Sequence, residues 1–270
     1  MLKQRILTAL ILIPFTLALL VYLPPAGFCI VTLLMTLAAA GEWSNLMGVK
    51  RVSRRILYVG IILFLMIDAL FIPAPVILAI AFIWWLWATV AVLRYPRGSQ
   101  GWGRSVLLRG LMGVFVLIPC WVAINYIRMQ SDGVFDLLFL FLLIWGADSV
   151  AYFVGKKWGK TKLAPEVSPG KSVQGFAAAM LSAIGIAAAA LAFWKVPLPI
   201  WPWVIALAMV TVLFSVVGDL CESMLKRQAG LKDSGSLLPG HGGLLDRIDS
   251  LTAAAPIFAL GAILLGVFLG

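Results

Sequence analysis

The run LLFLFLLIWGADSVAYFV, Leu137 to Val154, carries one charged residue, Asp148, in an otherwise largely apolar stretch. A segment needs about 20 mainly apolar residues to cross a hydrocarbon core of about 30 Å. In lipid, such a run satisfies its own N–H and C=O groups only as a helix, and it lacks the alternation of a barrel strand. It therefore reads as a transmembrane helix, and an acid inside one is a functional candidate by default. The competing reading of Asp148 is a helix-end residue that pairs with Lys156 or reaches water.

Eight further runs have the same character: Ile6 to Leu23, Ala26 to Ala40, Ile56 to Ile72, Val76 to Leu93, Gly110 to Ile127, Val173 to Trp194, Ile200 to Asp219 and Leu251 to Leu269. The expected fold is all-α, a polytopic transmembrane helix bundle of about nine spans. It forms a single integral membrane domain over 1–270, with amino-terminal spans in 1–109 and a catalytic part in 110–270. The first two runs have a second reading, a re-entrant hairpin around Pro24 and Pro25. Hydrophobic residues make up 63% of the chain and charged residues 12%, against about 45–50% and about 25% in a soluble domain. Lys3 and Arg5 before the first run are reminiscent of a signal peptide. The run ends at Pro-Pro rather than at a small-residue cleavage site, so it reads as a retained span. Cys29, Cys120 and Cys221 lie far apart and imply no disulfide framework.

A net charge of +10 would suggest nucleic acid as the partner of a soluble protein, but in a membrane protein basic residues report topology. With nine spans, the amino terminus and the loops after spans two, four, six and eight share one side. That side holds 19 of the 21 basic residues, leaving Arg128 and Lys195 on the other. The amino terminus is therefore expected in the cytoplasm and the carboxyl terminus outside. The basic loop with Arg94, Arg97, Arg104 and Arg109 reads as topology and contact with anionic lipid headgroups.

Two of the loops assigned to the cytoplasm, 155–172 and 220–250, concentrate polar chemistry. GKKWGKTK, Gly155 to Lys162, is not a P-loop: three residues rather than four separate its glycines, and a membrane helix precedes it. It is a turn leaving the membrane, followed by Ser168, Pro169, Gly170, Lys171 and Ser172. That turn either positions phosphate oxygens or holds the chain at the interface. Asp219 ends the eighth run, and if its helix continues outward then Ser223 and Lys226 share its face. Asp246 and Asp249 stand one turn apart before the ninth run. Acids are also favoured there as helix caps, a reading strongest for Asp249 before Ser250.

Nucleotidyl transfer needs a divalent cation on phosphate oxygens, held by one or two carboxylates, and Lys or Arg against the leaving pyrophosphate. Glycines let backbone N–H groups approach those oxygens. The loop supplies Asp219, Asp233, Asp246 and Asp249, then Lys226, Arg227, Lys232 and Arg247, then Gly240, Gly242 and Gly243. His241, the single histidine, lies in Pro-Gly-His-Gly-Gly. A structural role, a contact to phosphate or base, and acid–base work all remain open for it, while zinc lacks partners at ligand spacing.

The stretch SMLKRQAGLKDSGSLLPGHGGLLDRID, Ser223 to Asp249, resembles the signature of the phosphatidate cytidylyltransferase, or CDP-diacylglycerol synthase, family. Ser223, Leu225, Lys226, Arg227, Lys232, Asp233, Gly235, Pro239, His241, Gly242, Gly243, Asp246, Arg247, Ile248 and Asp249 fit its pattern. GADSVAYFVGKKWGK and VSPGKS look like the family's second polar segment, and the whole looks most like its proteobacterial branch. Gln174 stands where many members have Glu, so no acid role carries over there.

The resemblance implies condensation of CTP with phosphatidate to CDP-diacylglycerol and pyrophosphate in phospholipid biosynthesis. It implies dependence on Mg2+, with a monovalent cation such as K+ sharing the site, and a homodimer among the lipids of the bacterial inner membrane, its active site facing the cytoplasm. Metal binding carries over to Asp219 and Asp246. Catalytic roles carry over to Asp219, Asp246, Lys226, Arg227, His241 and Arg247. Substrate binding carries over to Ser223, Lys232, Asp233, Gly242, Gly243, Asp249, Asp148, Lys171 and Ser172. A CTP-dependent polyprenol kinase would use the same parts. A secondary transporter is the rival of another class, but its polar residues would sit near mid-bilayer rather than at one face.

Overall fold

Proline punctuates the first turn of the chain: Pro24 is extended and Pro25 opens a helix, the position its fixed φ favours. The computed structural model describes residues 14–99, 103, 105–237 and 242–267. Within them, α1 (14–22) leads into α2 (Pro25–Leu46), α3 (Val52–Ala69), α4 (Ala74–Leu93), α5 (Val106–Arg128) and α6 (Gly133–Trp158). A hairpin of β1 (Lys162–Ala164) and β2 (Ser168–Ser172) follows, then α7 (Val173–Phe193), α8 (Trp201–Ala229) and α9 (Leu245–Leu265).

The chain is nearly all helical, and seven of the described helices are long and apolar enough to cross a membrane: α2 and α4 to α9. Helix α3, expected as a span, carries Arg54, Arg55 and Asp68 and is not among the seven. The start of the first expected span lies outside the described residues. The second run continues as α2 for 22 residues to Leu46, a length that suffices to cross a membrane. Two helices also outrun their apolar cores. Helix α8 passes Asp219 and continues to Ala229, where Gly230 closes it in the left-handed conformation. Helix α9 starts at Leu245, six residues before the expected span.

The 155–172 loop was expected as a turn and contains a two-stranded antiparallel hairpin, pairing Lys162 with Ser172 and Ala164 with Ser168. Gln174 fixes its base by accepting from the Lys160 and Thr161 N–H groups at 3.1 and 3.2 Å. The side chain at 174 is therefore engaged as a structural amide.

Helix α9 lies at the centre, touching α8, α5, α4, α6 and α2. Its Ala253, Ala254, Ala255, Ala259 and Ala262 are fully buried, since small residues let helix backbones approach closely in a membrane bundle. Gly218 does the same from α8: a Cβ there would lie 2.6 Å from the Asp249 carbonyl and 3.1 Å from Ala253 Cβ. On the other side, α6 and α7 pair extensively, with Gly155 and Gly175 at their crossing.

The α2–α3 turn, the segment before α5, the hairpin and the 220–250 loop gather at one end. Arg109 donates to the Leu46 carbonyl at 2.8 Å and to that of Gly103. Asn45 donates to the Ser234 carbonyl at 2.8 Å, and Arg227 to that of Val167 at 3.3 Å. Arg128 instead reaches the Leu23 carbonyl, at 3.0 Å, between α1 and α2.

Candidate active site

Because α8 stays helical beyond Asp219, the face predicted for it forms. Ser223 Oγ donates to Asp219 Oδ1 at 3.2 Å, one turn along. Lys226, a further turn on, is buried and donates to Asp246 Oδ1 at 2.7 Å. The same ammonium lies 3.2 Å from Glu222 Oε1. Glu222 is 4% exposed and was not singled out from sequence, although its position four residues before Lys226 is the spacing of a helical ion pair.

Asp246 sits in the first turn of α9, its carboxylate held by the loop in front. Oδ2 accepts from Gly243 N–H at 2.8 Å, Ser234 N–H at 3.0 Å and Ser234 Oγ at 3.0 Å. This nest of backbone donors needs the left-handed turn at Gly242, φ +82°, which costs a residue with a Cβ roughly 1–2 kcal/mol. A Cβ at Gly242 would also lie 3.0 Å from Asp246 Oδ2.

Lys171 reaches the cluster from the hairpin, with Nζ 2.6 Å from Asp219 Oδ2. Asp249 does not cap α9, which begins four residues earlier. It points into the helix junction within electrostatic reach of Asp219 and Glu222. Asp148 joins from α6, where Oδ2 accepts from Ser250 Oγ at 3.4 Å, while Lys156 lies over the Tyr152 ring instead of pairing with it. Ser172 is engaged as the N-cap of α7, accepting from Gly175 N–H at 3.1 Å.

Of the other residues singled out from sequence, Arg227, Lys232, Asp233 and Arg247 are exposed around the loop. His241, Pro239 and Gly240 lie outside the described residues. A cleft of about 780 Å3 opens between the end of α2 and the loop, lined by Asn45, Lys50, Arg55, Asp233, Ser234 and Ser236 among others. It adjoins the carboxylate cluster through Ser234.

Carboxylates thus outnumber ammonium groups at the junction: Asp148, Asp219, Glu222, Asp246 and Asp249 against Lys171 and Lys226. Such a surplus of hard oxygen donors suits a hard divalent cation such as magnesium. Among the described residues no group of three or more His, Cys, Asp or Glu is arranged to hold a metal ion by itself. Asp219 is the more open of the two expected ligands, its side chain 27% exposed against 9% for Asp246.

A bundle of membrane-length helices with carboxylates, lysines and a glycine-bearing loop gathered at one end defines a helical integral membrane protein with a charged site. The chain belongs to the cytidylyltransferase family, whose family model matches residues 3–265. It is 41% identical over 261 residues to a phosphatidate cytidylyltransferase of Pseudomonas aeruginosa, covering 96% of each chain. It is 37% identical to one of Haemophilus influenzae, over 96% of this chain and 98% of the relative. A Brucella abortus phosphatidate cytidylyltransferase is 34% identical, over 97% and 94%.

Proposed function

We propose that this membrane enzyme condenses CTP with phosphatidate to give CDP-diacylglycerol and pyrophosphate. The observation that carries this is the pair of lysine–carboxylate contacts, Lys171 with Asp219 and Lys226 with Asp246, joining the hairpin, α8 and α9 in a cytidylyltransferase-family chain. A phosphate oxygen of phosphatidate attacks the α-phosphorus of CTP in line. The bond from that phosphorus to the β-phosphate bridging oxygen breaks, and pyrophosphate leaves with the electron pair. No proton needs to move, so the residues' work is positioning and charge.

Asp219 and Asp246 are the residues that would hold Mg2+, with a monovalent cation such as K+ beside it. When bound, the divalent ion neutralises phosphate oxygens. Lys171 and Lys226 balance carboxylate charge and present ammonium donors at the same junction. Arg227, Lys232 and Arg247, exposed around the loop, are suited to the outer phosphates of CTP and to the lipid phosphate. The cleft beside Ser234 lies within the 300–1,000 Å3 of small-molecule sites and is placed to take the nucleotide. His241 completes the loop as a contact to phosphate or base.

The site faces the cytoplasm of the bacterial inner membrane, with nine spans and the amino terminus inside. The support is that a nine-span path gathers 19 of the 21 basic residues on one side, as the positive-inside rule asks of the cytoplasmic face. Cysteine-accessibility labelling of the 223–249 loop from the two sides of the membrane tests it. The family resemblance further implies a homodimer, which native mass spectrometry from detergent tests.

The decisive experiment incubates purified protein with labelled CTP, phosphatidate and Mg2+ and identifies the products. CDP-diacylglycerol with pyrophosphate supports the assignment. A phosphorylated polyprenol with CDP, from the corresponding mixture with polyprenol, would replace it with the kinase.

A further inference from the structure

The start of a helix leaves N–H groups without partners, and α9 receives no side-chain cap from its own N-cap residue, Leu244. Its cap comes from α2. Leu245 N–H donates to Glu42 Oε2 at 2.9 Å, across 203 residues of sequence. Glu42 is 5% exposed, and its buried Oε1 has no hydrogen-bond partner among the described residues. A buried carboxylate in that condition is costly. Its surroundings are shaped to accept it: a Cβ at either Gly235 or Gly243 would collide with the Glu42 side chain.

What the acid contacts is the support of Asp246. Ser234 Oγ lies 3.4 Å from Glu42 Oε2 and 3.0 Å from Asp246 Oδ2. The Ser234 carbonyl is held by Asn45, one turn along α2 from Glu42, at 2.8 Å. Two routes therefore run from Glu42 to Asp246. One passes through Ser234, and the other through Leu245, the residue before Asp246 and the first of α9.

We infer that Glu42 is a positioning residue for cytidylyl transfer: by capping α9 from α2 and bracing Ser234, it sets the Asp246 carboxylate. It lines the inner wall of the cleft at 5% exposure, its contacts run to Leu245 and Ser234, and it makes the amino-terminal helices part of the catalytic apparatus rather than an anchor alone. The inference rests on the proposed function, in which Asp246 acts at the reacting phosphates.

The test uses full-length protein in lipid-supplemented detergent. A misplacement of about 1 Å is worth about a hundredfold in rate, so Glu42→Ala is expected to lower kcat about 10- to 100-fold and to leave the CTP KM within about threefold. Hydrogen–deuterium exchange over 242–249 should quicken in the same variant without substrates. Glu42→Gln keeps an acceptor for Leu245 N–H and should restore most of the rate and most of the protection. Adding Ser234→Ala to Glu42→Ala should cost little beyond the single change, because both act on Asp246.

Wild-type kcat with unchanged exchange in Glu42→Ala, or fully multiplicative losses in the double variant, would overturn the inference. Should Glu42→Ala fail to fold, Glu42→Asp, which withdraws the carboxylate by one methylene, carries the same expected losses and the same refutation. Wild-type protein that makes no CDP-diacylglycerol would end the functional assignment, while the exchange measurement would still decide whether Glu42 holds the start of α9.

Discussion

Lys226 of α8 donates to Asp246 of α9 at 2.7 Å while lying 3.2 Å from Glu222 on its own helix. One ammonium thus joins two helices and balances two acids, in a place where neither acid is open to bulk water. Removing it leaves Glu222 and Asp246 without their shared counter-ion.

Breaking a buried pair from one side costs about 3–5 kcal/mol. Lys226→Met is therefore expected to lower the thermal unfolding midpoint in detergent markedly. It should also reduce CDP-diacylglycerol formation by at least about a hundredfold, the scale of losing one donor from a charge-stabilising site. Lys226→Arg keeps the charge, so it should recover more of the stability than of the rate. A Lys226→Met protein as stable and as active as wild type would show that the contact contributes to neither.

Asp246→Asn is a gentler change, because the amide oxygen can still accept from Gly243 N–H while the negative charge is lost. Turnover should fall about 10²- to 10³-fold, with membrane insertion retained. Product assay and size-exclusion profile, read together, separate loss of chemistry from loss of fold. Near wild-type turnover would take Asp246 out of the reacting centre.

Asp219 is the more accessible of the two expected metal ligands, and its engagement with Lys171 is partly open to solvent. Chelation by EDTA should stop the reaction and added Mg2+ should restore it. In Asp219→Asn the half-saturating Mg2+ concentration should rise at least about tenfold, a penalty already typical of disturbed metal surroundings. Product formation against free Mg2+ measures it, and an unchanged curve would remove Asp219 from the metal.

Most of the bundle was legible because hydropathy reports contact with lipid. The run Val76 to Leu93 became α4 almost residue for residue, and Gly110 to Ile127 lies inside α5. Hydropathy fails where a helix leaves lipid and is held by ion pairs. The end of α8 and the start of α9 are charged, so they looked like loop, yet Lys226 and its two acids keep them helical. The sequence pointed to Asp219, Ser223, Lys226 and Asp246, and the structure pairs Ser223 with Asp219 and Lys226 with Asp246. Glu222 was hidden by its apolar neighbours Leu220, Cys221 and Met224. Glu42 was hidden by distance along the chain, since GEWSNL at the end of an apolar run carries no local sign of the loop it contacts.

Helix proximity itself makes the last prediction. Gly218 stands where α8 crosses α9, beside Asp219 and against the carbonyl of Asp249. Any Cβ there, at 2.6 Å from that carbonyl oxygen, must push the helices apart, and overpacking of this kind costs about 1–3 kcal/mol. The push has a direction that matters, because α9 carries Asp246 and Asp249 away from Lys226 and Asp219. Gly218→Ala should therefore lose activity about 10- to 100-fold, more than its loss of stability accounts for, since small displacements of reacting groups are costly. Gly185→Ala is the matching control on α7. A Cβ there meets nothing within 4 Å, and restricting the unfolded chain should leave the protein as stable or up to about 1 kcal/mol more stable. Thermal unfolding and product formation on the two variants separate the effect of a methyl group in a helix from the effect of parting α8 from α9. Equal behaviour of the two would mean that close approach at Gly218 does not set the site.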